Sequence, residues 1–304
     1  MSWDAHELGR RPLFVWAPSD ASRRTTYPTV YVLHAHMRSA RWWFNVDPFV
    51  PSYPELIDGL APEAVVVLVD GWTDVGGGQW IGELASYLRD EVVPFVDDAY
   101  PTNGLRGLQG KSSGGYGALV NAMERPDLFH AVAAHAPDAL FEVTLAHGFP
   151  AAARELRERF DGSLDAFWAS FAGLESHGDA LLVELTAAAR AFGDGTLPFD
   201  AAGCVLPAFE QWLEHDPVRL AGDYDEAVQS WRGVWLDAGR RDEYFLDLGA
   251  SALRDALFAA GLPEDRLHFE LVEGGHSGMS HRYPLSLAWL VERLASGSAE
   301  PRAC

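Results

Sequence analysis

The sequence predicts an α/β fold, a mostly parallel central sheet with helices on both faces. Three observations predict it. Short apolar, β-branched runs alternate with helical patterns along most of the chain. One run, Val65-Val66-Val67-Leu68-Val69, is apolar without interruption, as a strand buried on both faces must be. Finally, a glycine-flanked serine stands where a strand pattern gives way to a helical one.

Leu13–Trp16 and Val30–Leu33 are the first predicted strands, separated by a polar, turn-rich stretch, and Val65–Val69 is the next. A helical pattern follows from about Gly82 to Asp98, with Leu84, Tyr87, Leu88 and Val92 on one face. Then come a short strand before Ser112, a helix carrying Tyr116-Gly117-Ala118-Leu119-Val120, and a strand at Ala131–Ala134. The alternation resumes with a strand at Val234–Asp237 and a helix from Leu246 to Ala260. It ends with a strand at Leu267–Val272 and a helix from Pro284 to Leu294. Between about Asp138 and Ser230 the chain is rich in Ala, Leu, Glu and Arg, with helical runs at Ala151–Arg159, Ala180–Phe192 and Ala208–His215 and no strand-like run. Both flanks belong to the same sheet. The chain therefore reads as a single domain, 1–304, with a helical cap insertion at about 138–230 over the C-terminal edge of the sheet.

With 304 residues and 48% hydrophobic content, the chain has material for a large core. A formal charge of -21 argues against nucleic acid or an anionic membrane as a partner, because both would be repelled. The two cysteines, Cys204 and Cys304, allow neither a disulfide framework nor a zinc-type cysteine cluster, which fits a reducing compartment. The first residues lack a basic stretch followed by an apolar run, and no apolar run is long enough to span a bilayer. A cytoplasmic location is expected.

Chemistry concentrates at Gly110-Lys111-Ser112-Ser113-Gly114, which reads as G-x-S-x-G at the end of a strand. A serine on a tight strand-to-helix turn leaves no room for side chains two residues to either side. Gly110 and Gly114 satisfy that demand around Ser112, whereas Lys111 fails it for Ser113. Ser112 is therefore the candidate nucleophile. Its hydroxyl needs a base and an orienting acid. Asp242 follows the strand at Val234–Asp237, and His276 follows the strand ending at Val272, in the order Ser, Asp, His and at the same sheet edge. Asp237 lies on the strand itself, Glu243 points away from Asp242 if the loop stays extended, and His281 lies nearer the last helix. All three are weaker candidates.

On the Gly110–Ala118 turn, the Asp237–Glu243 loop and Gly274-Gly275-His276-Ser277, the chain resembles the α/β-hydrolase serine esterases. That group includes esterase D, enterochelin esterase-like and feruloyl esterase-like enzymes, and is related to the antigen 85 mycolyltransferases. The resemblance covers about Arg11 to Leu294 and is weakest over the inserted helices. It implies an α/β-hydrolase fold and a serine carboxylic-ester hydrolase working through an acyl-enzyme on a small-molecule ester, with no cofactor. An acyltransferase with the same triad is the main alternative, and a non-catalytic binding module of the same fold is the other. An exposed helical cap is also a common place for contact between copies, so a homo-oligomer is compatible with this reading.

Acyl transfer needs two backbone N–H groups aimed at the oxyanion. Ser113 supplies one, at a helix start. The family usually carries His-Gly or Asp-Gly after the strand corresponding to Val30–Leu33 and takes the second donor from the next residue. Here the loop is His34-Ala35-His36-Met37, which makes His36 the expected donor and Met37 its alternative. No further ligand accompanies His34 and His36, so no metal site is expected. Trp42, Trp43 and Trp72 are expected at the same edge as a substrate wall, and Lys111 and Arg240 read as solvated or ion-paired cations.

Overall fold

The computed structural model describes residues 2–5, 9–19, 26–45 and 49–295. His6, the tail from 296 and Cys304 lie outside the described residues.

The described strands are β1 (Ser2–Ala5), β2 (Gly9–Trp16), β3 (Tyr27–Leu33), β4 (Val65–Val69), β5 (Thr102–Lys111), β6 (Ala131–His135), β7 (Gly233–Gly239) and β8 (Leu267–Val272). They form one sheet in the order β1-β2-β4-β3-β5-β6-β7-β8. The pairs from β4 to β8 are parallel, and β2 runs antiparallel to both β4 and β1. This is an α/β-hydrolase fold. The ladder of β2 starts four residues earlier than the apolar pattern suggested, because Gly9–Pro12 pair with β1, which the pattern did not reveal. Between 83 and 99 the helical stretch carries a π-helical segment, Tyr87–Val92.

Alternate residues of the central strands feed opposite sides of the sheet, as a strand's two-residue period requires. Tyr31, Val67, Leu108, Val132 and Leu236 pack on one side, with the helices Ser113–Glu124 and Leu246–Ala259. Val30, Val32, Val66, Ala133 and Trp235 pack on the other, with the helices Tyr53–Leu60 and Tyr283–Ala295. The central parallel strands are largely apolar because both faces are covered, and the polar side chains they do carry include Gln109, His135 and Asp237, which hydrogen-bond in a buried network. The helices between β6 and β7 build a further aromatic core around Phe149, Phe192 and Trp212, joined to the rest through Tyr116 and Val120. Four more helices lie in that stretch than the pattern predicted: Phe141–Thr144, Leu164–Ser170, Pro217–Asp223 and Asp225–Ser230. Each is at most seven residues long, too short for a 3.6-residue period to stand out. No helix among the described residues is long and apolar enough to cross a membrane.

One buried polar network ties the middle strands to the last helix. Asp237 on β7 accepts from Trp235 Nε1 (2.7 Å) and Arg282 Nε (3.0 Å) and meets His135 Nδ1 on β6 at 2.6 Å. Ser286 joins His135 at 2.8 Å and Gln109 of β5 at 2.6 Å. The carboxyl of Asp237 is engaged entirely here, below the sheet edge. Burial pushes it up, but His135, Trp235 and Arg282 together hold it below the usual carboxylate range. Asp237→Asn is expected to destabilise the fold by about 3 kcal/mol, the order found when one member of a buried ion pair is removed. A carboxyl lowered in the folded state stabilises fully above its ordinary pKa and loses that contribution as pH falls through the lowered value. The deficit of Asp237→Asn in urea melts should therefore shrink as pH drops below about 4.

Candidate active site

The strand-to-helix turn holds Ser112 at φ 55, ψ -126, a region that residues with a β-carbon rarely occupy. The flanking glycines explain how it is held. A β-carbon on Gly110 would lie 2.1 Å from the carbonyl oxygen of Gly114, and one on Gly114 would lie 2.3 Å from that of Leu33. The Ser112 N–H donates to His135 O at 2.9 Å, pinning the turn to β6. Ser113 opens the helix Ser113–Glu124, so its N–H has no partner in the helical ladder.

The acid and histidine loops are bound backbone to backbone. Arg240 N–H donates to Val272 O (2.8 Å) and Arg241 N–H to Gly274 O (2.9 Å). A β-carbon on Gly239 would stand 2.4 Å from Gly275 O, so β7 must end in glycine for the loops to meet. Asp242, buried, takes the Tyr244 N–H on Oδ1 (2.9 Å) and the His276 ring on Oδ2, with Nδ1 at 2.9 Å. This leaves Nε2 of His276 as the free ring nitrogen. Glu243 turns back rather than away, and its Oε2 accepts the backbone N–H of His276 at 2.8 Å. His281 bonds Gly278 O at 3.1 Å, and Asp237 belongs to the network below. Neither competes for the site.

Ser112, His276, His36, Lys111, Trp42 and Tyr244 are among the residues around one cavity of about 270 Å³. Besides Glu243, two further carboxyl groups face it. Asp138, which follows β6, is buried, and its Oδ1 accepts the Ser112 hydroxyl at 3.2 Å. Burial pushes its pKa up to about 6, against the opposing pull of His276, Gln79 and Ser112. Glu184, on the helix His177–Phe192, is pushed up to about 8 by burial and by the charge of Asp138. In the sequence Asp138 stands only at the edge of the insertion, and nothing singles out Glu184. A residue three positions past the end of a parallel strand lies at the active edge, which was the available signal for Asp138. Glu184 carries no such local mark.

The loop after β3 narrows the choice of a second N–H donor. Met37 has φ 55 and spends its N–H on Gly76 O at 2.6 Å. The backbone N–H of His36, by contrast, has no backbone acceptor among the described residues. The left-handed residue here is Met37, so Ala35 occupies the usual glycine position without strain. The ring of His34 contacts Ala35 O (2.9 Å) and accepts Gly71 N–H (2.8 Å), bracing this loop against the end of β4. The ring of His36 donates through Nε2 to Val75 O (3.0 Å), and burial pulls its pKa down to about 4, so it stays neutral.

Of the three tryptophans expected as a substrate wall, only Trp42 borders this cavity. Trp43 is buried against Tyr53 and Tyr283, where the short helix Ala40–Trp43 turns its ring into the core. Trp72 stands at a separate surface depression with Arg10, Arg11 and Asp70, since the β4 loop carries it outward. Lys111 is buried among the active-site residues, and burial lowers its pKa. Arg240 is exposed beside Glu273.

Comparison with known proteins identifies the family and the fold. Residues 6–297 match the esterase family model described as "Putative esterase". A ferulic acid esterase structure superposes with a TM-score of 0.62 at 17% identity, covering 97% of each chain. An S-formylglutathione hydrolase from Agrobacterium tumefaciens gives 0.56 at 19% identity, covering 97% of this chain and 94% of that one. An enterochelin esterase from Shigella flexneri gives 0.52 at 17% identity, covering 97% of this chain and 57% of that one.

Proposed function

Because the chain belongs to the esterase family, we propose that it is a serine carboxylic-ester hydrolase that works through an acyl-enzyme on Ser112. The observation that carries this reading is the Asp242–His276 hydrogen bond beside a serine held in the strained turn.

In the free protein the Ser112 hydroxyl points to Asp138. Turned toward Nε2 of His276, it gives up its proton as Oγ attacks the acyl carbon. Asp242 holds His276 with its proton on Nδ1 and stabilises the imidazolium that forms. The developing oxyanion is received by the N–H groups of Ser113 and His36, the second assigned because Met37 is committed to Gly76. The imidazolium then protonates the departing alkoxide, leaving the acyl group on Oγ. Water enters, gives its proton to Nε2, and its oxygen bonds to the acyl carbon. Collapse of that second intermediate returns the proton to Oγ and releases the acid. Glu243 fixes the histidine loop, and the inserted helices cap the site, a role supported by Glu184 reaching its cavity.

The test uses the purified protein, p-nitrophenyl butyrate and a fluorophosphonate probe. Turnover with a pre-steady-state burst is expected, together with one adduct mapped to the peptide containing Ser112. Absence of both turnover and adduct refutes the reading.

A further inference from the structure

The cavity at Ser112 has a polar end that hydrolysis of a simple ester does not need. Asp138 lies 3.2 Å from the nucleophilic oxygen, and Glu184 faces the same space from the inserted helix. Asp138 is 6% exposed, while Glu184 keeps part of its surface open to the cavity and has no hydrogen bond or ion pair within the described residues. The groups that act most on Asp138 are His276, Gln79, Ser112 and Asp242, and on Glu184 it is Asp138 itself. None of them is a lysine or arginine. Lys111 and Arg38 border the same cavity, where the groups that act on Lys111 are Asp242, Arg38 and Glu243. Asp138 and Glu184 thus share a confined space with neither a lysine nor an arginine among the groups that act on them; burial holds both toward the protonated form, and an ammonium partner would favour their carboxylates.

The position of the pair says where on a substrate that partner would be. The acyl carbon must bond to Ser112 Oγ, and Asp138 Oδ1 lies 3.2 Å from that oxygen, so a donor held by Asp138 lies close to the acyl carbon. Leu145, Leu246 and Met37 border the same cavity and offer apolar contact to whatever else that atom carries.

We propose that Asp138 and Glu184 are specificity-determining residues that receive an ammonium group on the carbon next to the scissile carbonyl, so that the preferred substrates are α-aminoacyl esters. This rests on Ser112 being the nucleophile. It adds no chemical step: the ammonium binds before attack and leaves with the released amino acid.

An isosteric pair of substrates tests it. Alanine ethyl ester and ethyl isobutyrate differ by an ammonium in place of a methyl group. They are compared at about pH 7, where an α-amino group is largely protonated. Each kcat/KM is divided by that ester's own hydroxide-catalysed rate, to remove the greater intrinsic reactivity of the amino ester. The wild-type ratio is expected to favour the amino ester about tenfold or more, the effect of a charge-assisted hydrogen bond in a confined site. In Glu184→Gln and Asp138→Asn, each with active sites counted by fluorophosphonate, that ratio should fall about fivefold or more. A wild-type ratio near unity, or a ratio unchanged in both variants, overturns the inference and leaves the esterase reading standing. If neither ester is turned over and Ser112 is not labelled, the esterase reading falls and this inference falls with it.

Discussion

Ser112→Ala is expected to lower kcat/KM for any ester substrate by about 10⁴-fold or more, with the residual rate coming from the oxyanion donors and binding alone. The hydroxyl supplies the only bond that becomes covalent, so no neighbour can replace it. Ser113 follows directly, but its side chain is buried and stands at the first helical position, not at the strained one. The fold should survive. Alanine keeps a β-carbon at φ 55 and loses only the hydrogen bond to Asp138. Ser112→Gly separates strain from chemistry: it is equally inactive, but glycine occupies positive φ at little cost. It should exceed Ser112→Ala in stability by about 1 kcal/mol, seen as a melting temperature about 2 °C higher. Both variants lack the Asp138 hydrogen bond, so the difference between them isolates the backbone term. A fully active Ser112→Ala protein would refute the mechanism. Equal stability of the two variants would remove strain from the account of the turn.

Asp242→Asn is expected to be the next most damaging change, lowering kcat by about 10⁴-fold while KM moves little. The asparagine side chain would keep an oxygen for the Tyr244 N–H, so the loop should hold. Its amide nitrogen, at the other position, cannot accept the Nδ1 proton of His276 without flipping, and the ring is then held in the wrong tautomer for taking the serine proton. The comparison with Asp237→Asn sharpens the assignment. Asp237 is also buried and lies on the strand just before Asp242, yet its partners are His135, Trp235 and Arg282. Its variant should lose stability and keep most of its kcat at temperatures where it is folded. The Asp242 variant should keep its stability and lose kcat. Steady-state kinetics and urea melts on the two proteins check this, and a reversed pattern would exchange the roles of the two aspartates.

Much of this was legible in the sequence, and the legible part has a common character. The strands β3, β4, β6 and β7 show as mainly apolar runs because burial on both faces leaves few polar positions, while β5 and β8 are less buried and carry more polar residues. The serine turn shows because its steric demand falls on residues two positions away, Gly110 and Gly114. The order Ser112, Asp242, His276 shows because each residue follows a strand, and parallel strands deliver their following loops to one edge. Family resemblance pointed to the loop after β3, and Ala35 in place of glycine left its conformation open. The structure moved the left-handed residue to Met37, a matter of which N–H meets Gly76.

What the sequence by itself determined was therefore the scaffold and the candidates for the reacting residues, since these are written in local patterns: hydrophobic period, turn sterics and chain order. Only the tertiary structure decided which carboxylates and rings share the cavity. Asp138 touches Ser112 across 26 positions, and Glu184 faces the same space from an inserted helix. Trp43 and Trp72, which follow the same kind of loop as Trp42, are turned into the core and onto the surface. Those outcomes depend on how side chains from distant segments pack against one another. No local pattern encodes such packing, so the substrate end of this site becomes visible only when the chain is folded.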